Sequence, residues 1–114
     1  MEEKRKHPRA PLVVKVVNKA TKEFHYFYSR DISQGGMFLE TREPYKKGTE
    51  VELDFFVPLR EQKERVITRG VVVRTFEYSM EKDSDIVGMG IEFDGTESKD
   101  IGLLARYVRE TLED

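Results

Sequence analysis

The chain contains no cysteine and only two histidines, His7 and His25, which lie in different segments. Without cysteine there is no disulfide bond and no thiolate metal site, and the composition is compatible with a reducing cytoplasm. No cluster of histidines and carboxylates has the spacing of a zinc site or of a catalytic triad. The sequence therefore predicts a protein that is not an enzyme and that holds neither a metal ion nor a cofactor.

Long apolar runs are missing as well. No stretch approaches the roughly 20 apolar residues of a membrane-spanning helix, and no signal-peptide core is present. Internal repeats and low-complexity tracts are also absent. We therefore expect no export or spanning segment, no membrane partner and a location in the cytoplasm.

The chain has no large excess of positive or negative charge. The 114 residues carry 20 Lys and Arg against 22 Asp and Glu, a formal net charge of −2, which argues against a general binder of nucleic-acid polymers. The positive charge is uneven, however, because Lys4, Arg5, Lys6 and Arg9 fall within six residues. This cluster makes a local anion site possible.

The length predicts one domain, residues 1–114, in three parts. Residues 1–10 are polar, and Pro8 and Pro11 block a continuous helix, so a flexible basic arm is expected there. Residues 11–95 alternate apolar and polar positions in short runs bounded by turn residues, which is typical of strands. The predicted strands are 12–17, 24–32, 36–40, 51–57, 65–76 and 88–93, and Gly70 in the fifth suggests a bulge or bend.

The periodicity changes in residues 96–114. Apolar side chains recur there at helical spacing, which predicts a C-terminal α-helix with one apolar stripe for docking on the sheet or on a partner. The stripe consists of Ile101, Leu104, Ala105, Val108 and Leu112. The overall prediction is an all-β protein with a terminal helix, namely about six antiparallel strands followed by one helix.

Three aromatic residues, Phe24, Tyr26 and Tyr28, share one face of the second predicted strand. We expect them to line the core of the barrel. A stacking platform for single-stranded nucleic acid would need basic residues interleaved with the rings, and that pattern is weak here.

A short polar stretch, Asp31-Ile32-Ser33-Gln34-Gly35-Gly36, separates the second and third strands. On an extended segment Asp31 and Ser33 point the same way, beside a glycine pair that permits a sharp corner. A carboxylate and a hydroxyl in this arrangement form a small hydrogen-bonding site. The same residues also suit an ordinary β-turn that bonds its own backbone.

Two sequence motifs, taken together, indicate more than an ordinary β-turn. Arg5 and Arg9 form RxxxR, and Asp31, Ser33 and Gly36 form DxSxxG, with Asp31 22 positions after Arg9. The pair, in this order, resembles the PilZ domain, the receptor module for the bacterial second messenger cyclic di-GMP. The resemblance covers nearly the whole chain and implies a six-stranded antiparallel β-barrel with a C-terminal α-helix.

The resemblance also implies roles for the motif residues. Arg5 and Arg9 would hold phosphate and guanine, which suits the planar, forked guanidinium group. Asp31 and Ser33 would read guanine, while Gly36 would keep room for the ligand. Secondary contacts are assigned to Lys4 and Gly35. Ligand binding would order the arm and so signal to an unidentified downstream protein.

Some alternatives stay open at this stage. In the family, an arginine directly before RxxxR accompanies binding of a stacked ligand pair, and this chain has Lys4 there, so one and two ligands are both possible. The main alternative function is a protein-interaction adaptor that does not bind nucleotide. An oligonucleotide-binding barrel is a third hypothesis, which the net acidity disfavours.

Overall fold

The computed structural model describes residues 11–77 and 87–112. Within these ranges six strands precede one helix. The elements are β1 (Leu12–Asn18), β2 (Phe24–Ile32), β3 (Gly36–Glu40), β4 (Glu50–Pro58), β5 (Lys63–Phe76), β6 (Gly88–Phe93) and α1 (Ser98–Leu112). The predicted basic arm, residues 1–10, lies outside the described residues, as do the last two residues of the predicted helix.

The strands close into a barrel in the order β1-β2-β3-β6-β5-β4, and every pairing is antiparallel. Closure leaves no strand edge without a partner. The prediction of a six-stranded antiparallel barrel with a C-terminal helix is confirmed. No helix among the described residues is long and apolar enough to cross a membrane.

Strict alternation in β4 shows how the sequence places the core. Val51, Leu53, Phe55 and Val57 are at most 1% exposed, while the residues between them are accessible. On β1, Val14 and Val16 are fully buried in the same way. Successive side chains of a strand point to opposite faces, so an apolar residue at every second position fills the barrel interior.

The aromatic residues of β2 correct one prediction. Phe24, Tyr26 and Tyr28 lie on the outside of the barrel, 53%, 64% and 58% exposed. Tyr26 is paired with Lys15 of β1, and Lys15 Nζ lies 4.7 Å from the centre of the Phe24 ring. Residues directly opposite on antiparallel strands share a face, and β1 turns its even-numbered valines inward. The register therefore forces the three rings outward.

Two register irregularities interrupt the alternation. One lies on β2 between Tyr28 and Asp31, and the other lies on β5 between Val72 and Arg74. Each adds a residue to one strand and so reverses which side chains face outward beyond it. The irregularity on β5 lies beyond Gly70, the residue at which the sequence suggested a bulge.

Gly70 itself is not the site of a bulge. It pairs regularly with Val51 and Phe93. A Cβ atom at Gly70 would lie 2.5 Å from Cγ2 of Ile91, so this position needs glycine because β6 packs closely against it.

Helix α1 packs against β4 and β5 and covers the barrel with one face. Leu104 and Tyr107 are buried in the core, while Ile101 and Leu112 of the predicted stripe are 40% and 66% exposed. The helix therefore docks on the barrel through a face centred on Leu104 and Tyr107. The sequence identified the helix, but it placed the two ends of the stripe on the wrong face.

Candidate functional site

The Asp31–Gly36 corner opens into a cleft of about 740 Å³ on the outside of the barrel. The cleft runs across β2, β3, β6 and β5, and its size lies within the range of about 300–1,000 Å³ that is usual for small-molecule sites. Its lining includes Asp31, Ser33, Gly35 and Gly36, the residues predicted within the second motif and beside it.

The corner itself is a tight turn that Ser33 closes. The Ser33 backbone N–H donates to the Gly36 carbonyl at 2.9 Å, and the Ser33 hydroxyl donates to the same oxygen at 3.3 Å. The Gly35 N–H in turn donates to the Ser33 hydroxyl at 3.2 Å. The turn interpretation thus holds for Ser33, whose exposed hydroxyl oxygen keeps one lone pair for a further donor.

Asp31 faces the cleft because of the irregularity on β2. Ser29 is 1% exposed, and simple alternation would also turn Asp31 inward, yet Asp31 is exposed and Ile32 is buried instead. Among the side chains that the structure describes, which do not include that of Arg30, no hydrogen bond or ion pair engages the Asp31 carboxylate. This carboxylate can therefore accept hydrogen bonds from a ligand.

The two glycines of the corner differ in their surroundings. A Cβ atom at Gly36 would lie 2.2 Å from the Ile91 carbonyl oxygen, so glycine is needed there for β3 to pair with β6. A Cβ atom at Gly35 would meet nothing within 4 Å. The Gly35 carbonyl accepts a hydrogen bond from the Phe93 N–H at 2.8 Å, which ties the corner to β6. Open space at the corner thus lies over Gly35.

Gly90 lies on the outward face of β6, between the buried Met89 and Ile91, and lines the cleft. A Cβ atom at Gly90 would lie 3.8 Å from the Arg74 guanidinium, so the missing side chain leaves a shallow floor beside this cation. Gly88, in contrast, is buried, and a Cβ atom there would lie 2.1 Å from the Leu39 carbonyl oxygen and 2.8 Å from the Phe38 ring.

Arg74 and Phe76 belong to the cleft, and the sequence analysis missed both. Val72, Arg74 and Phe76 are alternate residues of β5, and Val72 is 1% exposed. Regular alternation would therefore place Arg74 and Phe76 inside the barrel as well. The extra residue at Val73 turns them outward instead. The only sequence signal was the arginine itself, since a buried, unpaired guanidinium is costly.

The charge of the cleft explains why an arm would matter. Among the described residues that line the cleft, three carry a carboxylate, Asp31, Glu40 and Glu92, and one carries a guanidinium, Arg74. This described lining alone does not favour an anionic ligand. A bound phosphate compound would therefore gain from further cations, such as those of the basic arm.

The basic arm joins the barrel beside the cleft. Leu12 begins β1 and pairs with Ser29, two residues before Asp31. Arg9 and Arg5 precede Leu12 by three and seven residues, which span at most about 10 Å and 25 Å. Arg5, Arg9 and Lys4 lie outside the described residues, so chain length limits their reach but does not place them.

Other charged groups serve the fold. Arg65 donates to Asp54 through Nε at 2.9 Å and through Nη2 at 2.6 Å, which lowers the pKa of the Asp54 carboxyl despite partial burial. Arg106 donates to Glu110 at 2.8 Å on α1 and lowers the pKa of Glu110. Within the described ranges, no three His, Asp or Glu side chains are grouped to hold a metal ion.

Comparisons with known proteins agree with this architecture. The chain is similar in structure to the inhibitor of motility MotI/DgrA from Bacillus subtilis, with TM-score 0.73, 24% identity and 92% of this chain covered. It covers 49% of that protein and so spans about half of its length.

Two PilZ domains are also similar. The domain of CeSA from a cellulose-synthesizing bacterium has TM-score 0.57 and 16% identity over 94% of both chains. The domain of YcgR from Escherichia coli, solved with c-di-GMP, has TM-score 0.63 and 16% identity over 90% of this chain and 82% of its own.

These identities are low, so the three structures establish the fold and not the ligand. No curated protein sequence matches this chain. The family model described as the PilZ domain, however, matches residues 3–110, nearly the whole chain. The chain belongs to the PilZ domain family.

Proposed function

We propose that this protein binds cyclic di-GMP in the cleft beside the Asp31–Gly36 corner. PilZ domains form a family of cyclic di-GMP receptor and adaptor domains, and the related YcgR domain was solved with that ligand. One observation supports the proposal most directly. The DxSxxG corner opens into a cleft at the point where the arm with RxxxR joins the barrel.

In this proposal the ligand is held from two sides. Asp31 accepts hydrogen bonds from the N–H groups on the Watson–Crick edge of one guanine, and Ser33 adds a hydroxyl contact. Arg5 and Arg9 fold over the ligand and bind phosphate and guanine through their forked guanidinium groups. Their charge offsets the negative lining of the cleft. Gly36 shapes the corner, and Lys4 and Gly35 supply secondary contacts.

The proposed output is ordering of residues 1–10 over the bound ligand. Such ordering creates a new surface beside β1 and β2, which a downstream protein can recognise. The ligand is a bacterial second messenger, so the proposal places the protein in a bacterial cytoplasm. The chain acts as a receptor without catalytic chemistry of its own.

Calorimetric titration tests this function. Cyclic di-GMP, GTP and a short single-stranded oligonucleotide are titrated separately into the full chain at one fixed salt concentration. We expect saturable binding of cyclic di-GMP, and the stoichiometry shows whether one or two ligands bind. Absence of binding by all three ligands would favour the adaptor alternative, and preference for the oligonucleotide would favour the third hypothesis.

A further inference from the structure

We propose that Arg74 and Phe76 of β5, with Phe38 of β3 beside them, form a second base-binding subsite, which selects guanine on the β5 side of the cleft. The inference rests on the proposed binding of cyclic di-GMP and names the residues that read its second base. These three side chains lie outside the two motifs, and they come together only in the folded barrel.

The register places this subsite in line with Asp31. Asp31 of β2 pairs with Phe38 of β3, Phe38 pairs with Gly90 of β6, and Gly90 pairs with Arg74 of β5. Neighbouring strands lie about 4.8 Å apart, so roughly 14 Å of sheet separates the two ends of the row. This backbone separation leaves room for a ligand with two bases.

The aromatic pair provides a stacking surface. The ring centres of Phe38 and Phe76 lie 5.9 Å apart with their planes tilted by 58°. Phe76 is 37% exposed and lines the cleft, so part of its ring faces solvent in the described structure. An exposed aromatic face on the same outer surface as Gly90, which also lines the cleft, suits a planar base, since bases stack on aromatic side chains.

Arg74 gives the subsite its specificity. The guanidinium lies against Gly90, and no hydrogen bond or ion pair engages it among the described residues. Its fork matches the two acceptors N7 and O6 of guanine. Adenine presents a donor, the N6 amino group, in place of O6, so the same fork bonds adenine less well. Arg74 therefore discriminates guanine from adenine at this end.

The experiment compares two ligands and six proteins. Cyclic di-GMP and the mixed dinucleotide 3′,3′-cyclic GMP–AMP are titrated by calorimetry into the wild-type chain and into the variants Asp31→Ala, Arg74→Ala, Phe76→Leu, Arg109→Ala and Phe56→Leu. Arg109 and Phe56 are exposed residues outside the cleft and serve as matched controls for charge and ring loss. Thermal unfolding checks that every variant is folded.

We expect Arg74→Ala to weaken cyclic di-GMP binding by about tenfold or more, the range of a lost bidentate contact. Phe76→Leu keeps an apolar side chain but loses the ring face, and it should weaken binding severalfold. The controls should bind like wild type. The wild-type chain should prefer cyclic di-GMP over the mixed dinucleotide, and Arg74→Ala should abolish that preference.

The outcomes separate this inference from the function on which it rests. If wild type binds and Asp31→Ala weakens binding, but Arg74→Ala and Phe76→Leu behave like their controls, the subsite is refuted and the proposed function stands. If Arg74→Ala weakens both ligands equally and the preference persists, Arg74 does not read the base. If wild type binds neither ligand, both proposals are refuted together.

Discussion

Asp31 and Arg74 occupy the two ends of one row of paired residues that crosses four strands of the barrel. The row runs from β2 through Phe38 and Gly90 to β5. Both side chains face outward because an irregularity of register precedes each of them in its own strand. Strand bulges are known to re-aim side chains beside binding sites, and two of them build this cleft.

The first prediction concerns Asp31. Replacing it by alanine removes the carboxylate that accepts from guanine, and we expect a loss of roughly 1.5–3 kcal/mol in cyclic di-GMP binding, as for a charged hydrogen bond. Calorimetry measures the loss. The fold should persist, since the side chain is exposed.

A control variant, Glu52→Ala, removes an exposed carboxylate from β4, outside the cleft, and should bind normally. Normal binding by Asp31→Ala would disprove the guanine-reading role. Unfolding of Asp31→Ala would instead show that the residue mainly stabilises its turn.

The arginines of the arm give the second prediction. Arg9→Lys and Arg5→Lys keep the charge but lose the fork and the stacking plane. Each should weaken binding about tenfold or more, which corresponds to about 1.4 kcal/mol. Lys6→Ala removes a charge outside the motif and should cost much less. Titration of the three variants at one salt concentration tests this prediction. Equal small losses of affinity would mean that the basic cluster acts only through net charge.

Ordering of the arm is the third prediction. If cyclic di-GMP bridges the arm and the cleft, amide relaxation by NMR should show that backbone motion of residues 1–10 on the picosecond to nanosecond scale decreases on binding. Amides of β4, which faces away from the cleft, serve as the internal control. An arm that is equally rigid with and without ligand would remove the switch from the mechanism and leave the binding site intact.

The fourth prediction separates the two corner glycines. Gly36→Ala places a methyl group against the Ile91 carbonyl oxygen, and we expect a destabilisation of about 1–3 kcal/mol in urea unfolding even without ligand. Gly35→Ala meets open space and should change stability by less than about 0.5 kcal/mol. If Gly35→Ala nevertheless weakens ligand binding, the ligand lies against Gly35. Equal stability of the two variants would contradict the packing role of Gly36.

The fifth prediction is a pH dependence of stability. Hydrogen bonding from Arg65 lowers the pKa of Asp54 in the folded state, so the pair stabilises the fold above the unfolded value near 3.9. This stabilisation is lost as pH falls through the lowered pKa. Asp54→Asn should therefore unfold at a lower temperature than wild type at pH 7, and the difference should vanish in acid.

Glu52→Gln, on the same outward face of β4, is the matched control and should show no such convergence. If the difference in unfolding temperature between Asp54→Asn and wild type stays constant down to pH 2, the substitution acts through packing rather than through the Asp54–Arg65 pair.

Strand positions could be predicted from the sequence because they depend on local alternation of apolar and polar residues. The pattern at Val51, Leu53, Phe55 and Val57 needs no tertiary information, since each apolar side chain must leave water on the same face. The corner at Asp31 and the change to helical spacing after residue 96 are equally local. The exposure of Tyr26 was not predictable in this way, because it depends on which β1 residue pairs with it.

The sequence by itself thus determined the β-barrel with its C-terminal helix, the buried face of β4, and the motif residues that identify the family. Only the tertiary structure decided which face the rings of β2 present, and only it brought Arg74 and Phe76 to the cleft. For the rings the physical reason is the register of β2 with β1, and for Arg74 and Phe76 it is the extra residue at Val73, which reverses the alternation of β5. Such a reversal depends on pairing with β6, more than a dozen residues away in the chain, and its one mark on the local pattern of β5 is an arginine at a position that alternation would bury.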